Sequence, residues 1–160
     1  MLPSPVRKYL LISVGASPSV LSELLKGVAS DDPVWDIRPD PERFTLREAV
    51  VHLADWEPIH VERIQRILVE ETPVLDDMDE GAMAIERDYA HQDPLANLER
   101  YAEGRKALLS LFQSLTEEQW QKAGIRPPVI GRITIEQMAT LVLAHDGYHF
   151  QQVVEWLSAR

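Results

Sequence analysis

Helix-start signals recur along the chain and constrain its fold more than any other feature. Capping boxes, in which a threonine is followed three residues later by Glu or Gln, begin at Thr45, Thr116 and Thr134. A further start is Asp93, an N-cap residue followed by Pro94 at the first helical position. Apolar residues recur in the long segments with helical spacing, and no stretch alternates convincingly like a strand. These signals predict a mostly helical protein.

The predicted elements are four long helices and short pieces within a single domain spanning residues 1–160. The first helix includes Ser17 to Ala29, with Ser17 as N-cap; the stretch from Val6 can also be helical, with a break or kink near Pro18. The caps predict the later helices. One long helix runs from Thr45 to about Glu70 with a kink at Pro58, and another runs from Asp93 to about Ser114. A short helix runs from Thr116 to near Gly124, and the final helix runs from Thr134 to the C-terminus. The segment IRPPVIGRI and the acidic stretch from Asp76 to Glu80 are predicted to be loops, and VIGRITI is too short for a substantial sheet.

Charge and composition exclude several classes of partner. The net charge is -10 and no basic stripe occurs, which argues against binding to nucleic acid or to anionic membrane surfaces. No apolar run approaches the roughly 20 residues that a transmembrane helix needs. The chain has no cysteine, which excludes a disulfide framework and a thiolate metal site, so any thiol chemistry must use a small-molecule thiol.

The first residues imitate a signal peptide weakly. Arg7 and Lys8 precede a short apolar run that Ser13 and Gly15 interrupt. We interpret this stretch as the start of the first helix and predict a cytoplasmic protein.

Three histidines form the best candidate for chemistry. His145 and His149 are four residues apart, so they lie on one face of the final helix. His52 continues the apolar face of the second helix, so all three face inward. Two imidazoles so placed can bind one divalent ion, and a third from another helix completes the set. The alternative is that the histidines are packed core residues without a metal.

Two polar residues near the histidines are weaker candidates. Asp55, three residues after His52, is a candidate catalytic residue that can orient a ligand or take up a proton; an ordinary surface position is the alternative. Gln152, three residues after His149, is a candidate hydrogen-bond partner for the ligands, and a plain buried amide is the alternative. The other polar residues of these segments are interpreted as structural or solvated: Glu48, Glu57, His60, His91, Asp146 and Tyr148.

A wider set of residues matches a known family. The set runs through Trp35, Arg38-Pro39, Phe44-Thr45, Glu48 and the motif HLADWE at residues 52–57, and it ends with His145, His149 and Gln152. It resembles the DinB-like (YfiT-like) superfamily from about Tyr9 to the end of the chain, with Phe44 where a tryptophan is frequent. The resemblance implies an all-α four-helix bundle with a metal site in which His52, His145 and His149 are the ligands.

The resemblance also implies cofactors and activities. Members commonly hold nickel or zinc, and many form homodimers. Some transfer or use low-molecular-weight thiols such as bacillithiol or mycothiol, and others are described as metal-dependent hydrolases. We therefore expect an ion that activates a small thiol or water for attack on an electrophilic small molecule. A non-catalytic homodimeric bundle that binds metal or ligand is the alternative, because a shared fold does not fix a reaction.

Overall fold

The structure, a computed structural model, describes residues 1–159 and consists almost entirely of helices. Four long helices account for most of it: α1 (Ser4–Leu24), α2 (Leu46–Val69), α4 (Pro94–Ser114) and α6 (Ile135–Ser158). The short elements are α3 (Glu80–Glu86), α5 (Glu117–Trp120), β1 (Ala123–Arg126) and β2 (Gly131–Thr134). Turns of 3₁₀ helix occur at Pro33–Asp36 and Tyr89–His91. The predicted all-α four-helix bundle is confirmed.

The caps predicted the helix starts well. Thr45, Thr116 and Thr134 each form a complete capping box, and the Asp93 side chain accepts from two backbone N–H groups of α4. These contacts satisfy N–H groups that a helix start leaves without an intrahelical partner. No helix in residues 1–159 combines the length and the hydropathy that crossing a membrane requires.

The first helix differs from its prediction. It begins at Ser4, ends at Leu24 and contains Pro18 in its interior, so Ser17 is not its N-cap. Proline lacks the N–H that would bond to the carbonyl four residues earlier, which here belongs to Val14. That carbonyl oxygen instead accepts from Arg105 Nη1 at 2.9 Å. A side chain from α4 therefore replaces the bond that Pro18 removes, and α1 continues past it.

The segment predicted as a loop after α5 contains a small hairpin. The short helix ends at Trp120 rather than near Gly124, and β1 pairs antiparallel with β2, with Ala123 opposite Thr134. The chain following α2 joins this hairpin, because the Leu75 N–H donates to the Ile125 carbonyl oxygen and the Ile125 N–H donates to the Pro73 carbonyl oxygen. A Cβ at Gly124 would lie 2.9 Å from the Pro73 carbonyl oxygen, so only glycine permits this approach.

Buried polar residues form a layer across the middle of the bundle. Along each of α2, α4 and α6 they lie between two apolar clusters, one near Ile64, Leu108 and Val142 and the other near Leu53 and Val153. The layer contains His52, Asp55, Glu57, His60, Arg63, Arg105, Asp146, His149 and Gln152. Buried polar groups are costly unless they are paired, so this layer is where a functional site is expected.

Candidate metal centre

Three imidazole nitrogens converge between α2 and α6. His52 Nε2 lies 2.9 Å from His145 Nε2, and His149 Nε2 lies 3.3 Å from the same atom. Of the histidine, aspartate and glutamate residues described, these three histidines form a group whose ligand atoms all lie within 4.8 Å of one another. The structure thus brings together the residues that the i, i+4 spacing and the HLADWE motif indicated.

The spacing of the three nitrogens fits a shared metal ion. Metal–imidazole bonds of about 2.0 to 2.1 Å place two nitrogens of one ion about 2.8 to 3.4 Å apart at angles of about 90° to 110°. The two observed separations, 2.9 and 3.3 Å, fall in that interval. Hydrogen bonds serve the arrangement poorly, because one hydrogen on His145 Nε2 cannot point linearly at both neighbours. A cation can accept all three lone pairs.

Burial keeps the imidazoles neutral. Desolvation, with smaller contributions from the neighbouring imidazoles, lowers the pKa of His52 to about 2 and that of His149 to about 3. Desolvation also lowers the pKa of His145. A histidine binds metal through its unprotonated nitrogen, so the site holds its donors in the form that a cation needs.

Gln152 fixes the tautomer of His149. Its amide nitrogen donates to the carbonyl oxygen of Phe44, so its Oε1 faces His149 Nδ1 at 3.0 Å. An amide oxygen only accepts, and His149 Nδ1 must therefore carry the hydrogen. The lone pair of His149 Nε2 then points at the other two histidines. Gln152 thus contacts His149 by a hydrogen bond, and its role as a partner of a metal ligand stays a prediction.

The structure does not bring Asp55 into the histidine group. Its carboxylate accepts from Arg87 and Tyr89 at 2.8 Å each and also from Arg100. These residues belong to the segment that follows α3 and to α4, so Asp55 anchors that segment to the bundle. Its catalytic role stays a prediction.

Glu80 is a site residue that the sequence reading missed. The acidic stretch was predicted to be a solvated loop, but Asp79 caps α3, and Glu80 at the first position of that helix turns toward the histidines. Its Oε2 lies 4.0 Å from His52 Nε2. Partial burial raises the pKa of the Glu80 carboxyl above its usual value. Its position depends on how α3 packs, which no local pattern in the sequence reveals.

A cavity of about 280 Å³ opens over the histidines. Its wall includes His145, His149, Glu80, Arg43 and Tyr148. Tyr148, interpreted from the sequence as structural or solvated, is half-exposed, and its ring lies 5.0 Å from the His149 ring at the edge of this cavity. The Arg43 guanidinium bonds to the Tyr148 hydroxyl and to Glu155, so its charge is already paired.

The remaining polar residues have structural contacts. Glu57, interpreted from the sequence as structural or solvated, forms an ion pair with Arg105 in the core. Asp146 accepts from the same guanidinium. His91 is exposed and contacts Asp88. His60 is buried, and its Nδ1 lacks a hydrogen-bond partner among the described residues.

Comparison with known proteins places this geometry in a family. The family model described as the DinB superfamily matches residues 15–153. The chain belongs to the DinB superfamily. The predicted resemblance is thereby confirmed over nearly the whole chain, including all three histidines.

A bacterial relative, YfiT, matches this chain both in sequence and in structure. The protein named "Putative metal-dependent hydrolase YfiT" from Bacillus subtilis (strain 168) is 30% identical over 112 residues, which are 70% of this chain. The match spans 63% of that protein's own length. The solved structure of YfiT from Bacillus subtilis, described as "a probable metal-dependent hydrolase with an unusual four-helix bundle topology", superposes with a TM-score of 0.89. It covers 98% of this chain and 88% of the YfiT chain at 24% identity, which establishes the shared fold.

Proposed function

We propose that the protein is a metal-dependent hydrolase acting on a small ester or amide. The observation that carries this proposal is the convergence of three neutral imidazole nitrogens, 2.9 and 3.3 Å apart, beneath an open cavity. We propose nickel or zinc, because imidazole nitrogen suits both ions. Three protein ligands would leave positions open on such an ion, and the ion would supply a water of lowered pKa as the nucleophile. The name of the Bacillus subtilis relative agrees with this chemistry.

Other residues around the histidines have two proposed roles, orienting a ligand and accepting a proton. Gln152 and the Phe44 carbonyl hold His149 in the tautomer that presents Nε2. Glu80 is placed to take the proton from an attacking water, since its Oε2 lies 4.0 Å from His52 Nε2 at the cavity wall. A carboxyl whose pKa is raised by burial is better matched to that task near neutral pH.

Addition of a low-molecular-weight thiol is the second candidate. The chain contains no cysteine, and the cavity over the histidines has room for an external ligand. A thiol bound to a cation ionises and becomes a stronger nucleophile. The thiol reaction and hydrolysis share the same residues, so the substrates that turn over distinguish them.

A substrate screen of the metal-loaded protein tests the proposal. Nitrophenyl esters and anilides form one panel, and bacillithiol, mycothiol, coenzyme A and glutathione with a generic electrophile form the other. We expect ester or amide turnover that His52→Ala abolishes, that Glu80→Gln lowers by about 100-fold or more, and that His91→Ala leaves unchanged. Turnover only with thiols would replace hydrolysis with thiol addition. No turnover in either panel would favour a non-catalytic binding module.

We further propose that the protein is a cytoplasmic homodimer without a nucleic-acid partner. The outward side of α1 exposes Val6, Tyr9 and Ile12, an apolar surface suited to a second copy. The net charge of -10 disfavours nucleic acid. Sedimentation equilibrium should give a dimer mass that Ile12→Glu shifts toward monomer. A monomer at all concentrations, or micromolar affinity for random duplex DNA at physiological salt, would contradict these proposals.

A further inference from the structure

A second cavity adjoins the histidine site on its other side. It has a volume of about 230 Å³ and shares His145 and Glu80 with the first cavity, so the two meet at the candidate metal centre. Its far wall consists of Trp56, His60 and Arg126 together with apolar side chains. A substrate larger than its reacting group can therefore extend from the histidines into this space.

Two guanidinium groups lie against Trp56 of the far wall, and one of them, that of Arg126, lines the cavity itself. The guanidinium carbons of Arg63 and Arg126 lie 5.0 and 5.8 Å from the ring centre of Trp56. Arg63 is held by the backbone carbonyl of Asp76. Arg126 has only a loose acidic contact, 3.4 Å to the exposed Asp77. By contrast, Arg43 in the first cavity contacts Glu155 at 2.6 Å. Of the arginines that line the two cavities, Arg126 is therefore the one whose guanidinium can still bind a ligand.

Two buried ring nitrogens at the same wall lack partners. Trp56 Nε1 and His60 Nδ1 make no hydrogen bond to any described residue, although these side chains are only 3% and 6% exposed. Both side chains line the second cavity. Indole nitrogen is only a donor, and a buried donor without an acceptor costs free energy. Both unpaired nitrogens thus belong to residues that form this wall.

We propose that the second cavity binds a carboxylate group of the substrate, with Arg126 as the anchoring residue. The neighbouring Ile130 and Leu141 would contact an apolar portion beside that carboxylate. Glu80 lies where the cavity meets the histidines and repels an anion there. The carboxylate of a ligand is therefore expected at the end of the cavity that Arg126 lines. Resting on the proposed hydrolase function, the substrate class is a small carboxylate-bearing ester or amide whose scissile bond lies over the histidines.

Binding of a simple carboxylate tests this site independently of turnover. The probe is phenylacetate, with neutral phenylacetamide as its isostere, titrated by NMR against protein freed of metal by chelation. The indole N–H signal of Trp56, assigned with Trp56→Phe, reports the cavity. We expect phenylacetate to shift that signal and to bind at least about 10-fold more tightly than phenylacetamide, since charge-assisted hydrogen bonds are the stronger ones.

Variants of the hairpin identify the anchor. We expect Arg126→Gln to weaken phenylacetate binding by about 10- to 100-fold, Arg126→Lys to restore part of it, and Asp77→Asn to strengthen it by removing the competing carboxylate. The matched control is Arg132→Gln, which makes the same charge change at an exposed position on β2. Thermal melting of each variant verifies folding.

Three results would overturn the proposal: equal affinity for phenylacetate and phenylacetamide, equal affinity in Arg126→Gln and Arg132→Gln, or no movement of the Trp56 signal. Because the titration uses metal-free protein and measures no reaction, failure of the hydrolase proposal leaves its outcome unaffected. If hydrolysis is found, the carboxylate substrate should have a KM at least about 10-fold below that of its methyl ester in wild type, and the two KM values should converge in Arg126→Gln.

Discussion

The His149→Ala protein is expected to lose tight metal binding while keeping its helical content. The substitution removes one of three converging nitrogens, and the remaining pair, His52 and His145, cannot enclose an ion from three sides. Outer hydrogen-bond partners of metal ligands are worth about 10- to 100-fold in affinity, so loss of a ligand should exceed about 100-fold. Competition with a chromophoric chelator measures the affinity, and elemental analysis of the purified protein measures the content.

Two further substitutions are expected to have smaller effects on metal affinity. Gln152→Leu leaves all three nitrogens in place but removes the oxygen that faces His149 Nδ1, so we expect a loss of about 10- to 100-fold. His91→Ala is the matched control, because this histidine is exposed and its contact is with Asp88. Unchanged metal affinity in His149→Ala would remove the three-histidine assignment and with it the proposed hydrolase mechanism.

The three-histidine group was predictable because its signals are local. The i, i+4 spacing of His145 and His149 places both on one helix face whatever surrounds them. His52 follows a capping box at Thr45 that fixes where α2 begins, and thus which of its residues face inward. The family resemblance then joined the two segments, which spacing alone could not do.

The cavity walls were not predictable in the same way. Glu80 occurs in an acidic stretch that composition identifies as a loop, and it reaches the histidines because α3 folds back over them. Arg126 reaches Trp56 because β1 pairs with the chain after α2, an arrangement that requires Gly124. Both depend on contacts between segments distant in sequence, for which a single chain carries no periodic signal.

The start of α1 differs from its prediction for a related reason. Pro18 is a helix breaker by local chemistry, and Ser17 before it resembles an N-cap. The helix continues because Arg105 donates to the carbonyl of Val14, which Pro18 leaves without its usual partner. The residue that permits the helix is 91 positions away from the carbonyl.

Arg105 is also where we expect the largest loss of stability. Its guanidinium bonds to both oxygens of Glu57 and to both oxygens of Asp146, and all three side chains are almost fully buried. Arg105→Met fills much of the same volume but leaves two carboxylates together in the core, with the Val14 carbonyl unpaired. Breaking a buried pair by removing one partner costs about 3 to 5 kcal/mol. That is a large share of the roughly 5 to 15 kcal/mol by which domains are stable.

Urea unfolding at two pH values tests the cause of the loss. Burial already raises the pKa of Glu57 although Arg105 opposes the shift, so removing the arginine raises this pKa further. A carboxyl whose pKa is raised in the folded state lowers the free energy of unfolding when the pH is above that pKa. This loss of stability disappears as the carboxyl is protonated. The stability difference between Arg105→Met and wild type should therefore be largest above the raised pKa of Glu57 and narrow as the pH falls through it toward about 4.3, the ordinary pKa of glutamate.

A surface pair and a double substitution supply the controls. Arg66→Met removes the exposed partner of Glu70 and should leave the midpoint unchanged, because solvent screens such pairs. Adding Glu57→Gln to Arg105→Met removes one of the two stranded charges and should recover part of the lost stability. If Arg105→Met instead unfolds at the wild-type urea concentration at pH 7, the buried layer does not depend on this guanidinium. The continuity of α1 past Pro18 would then need another explanation.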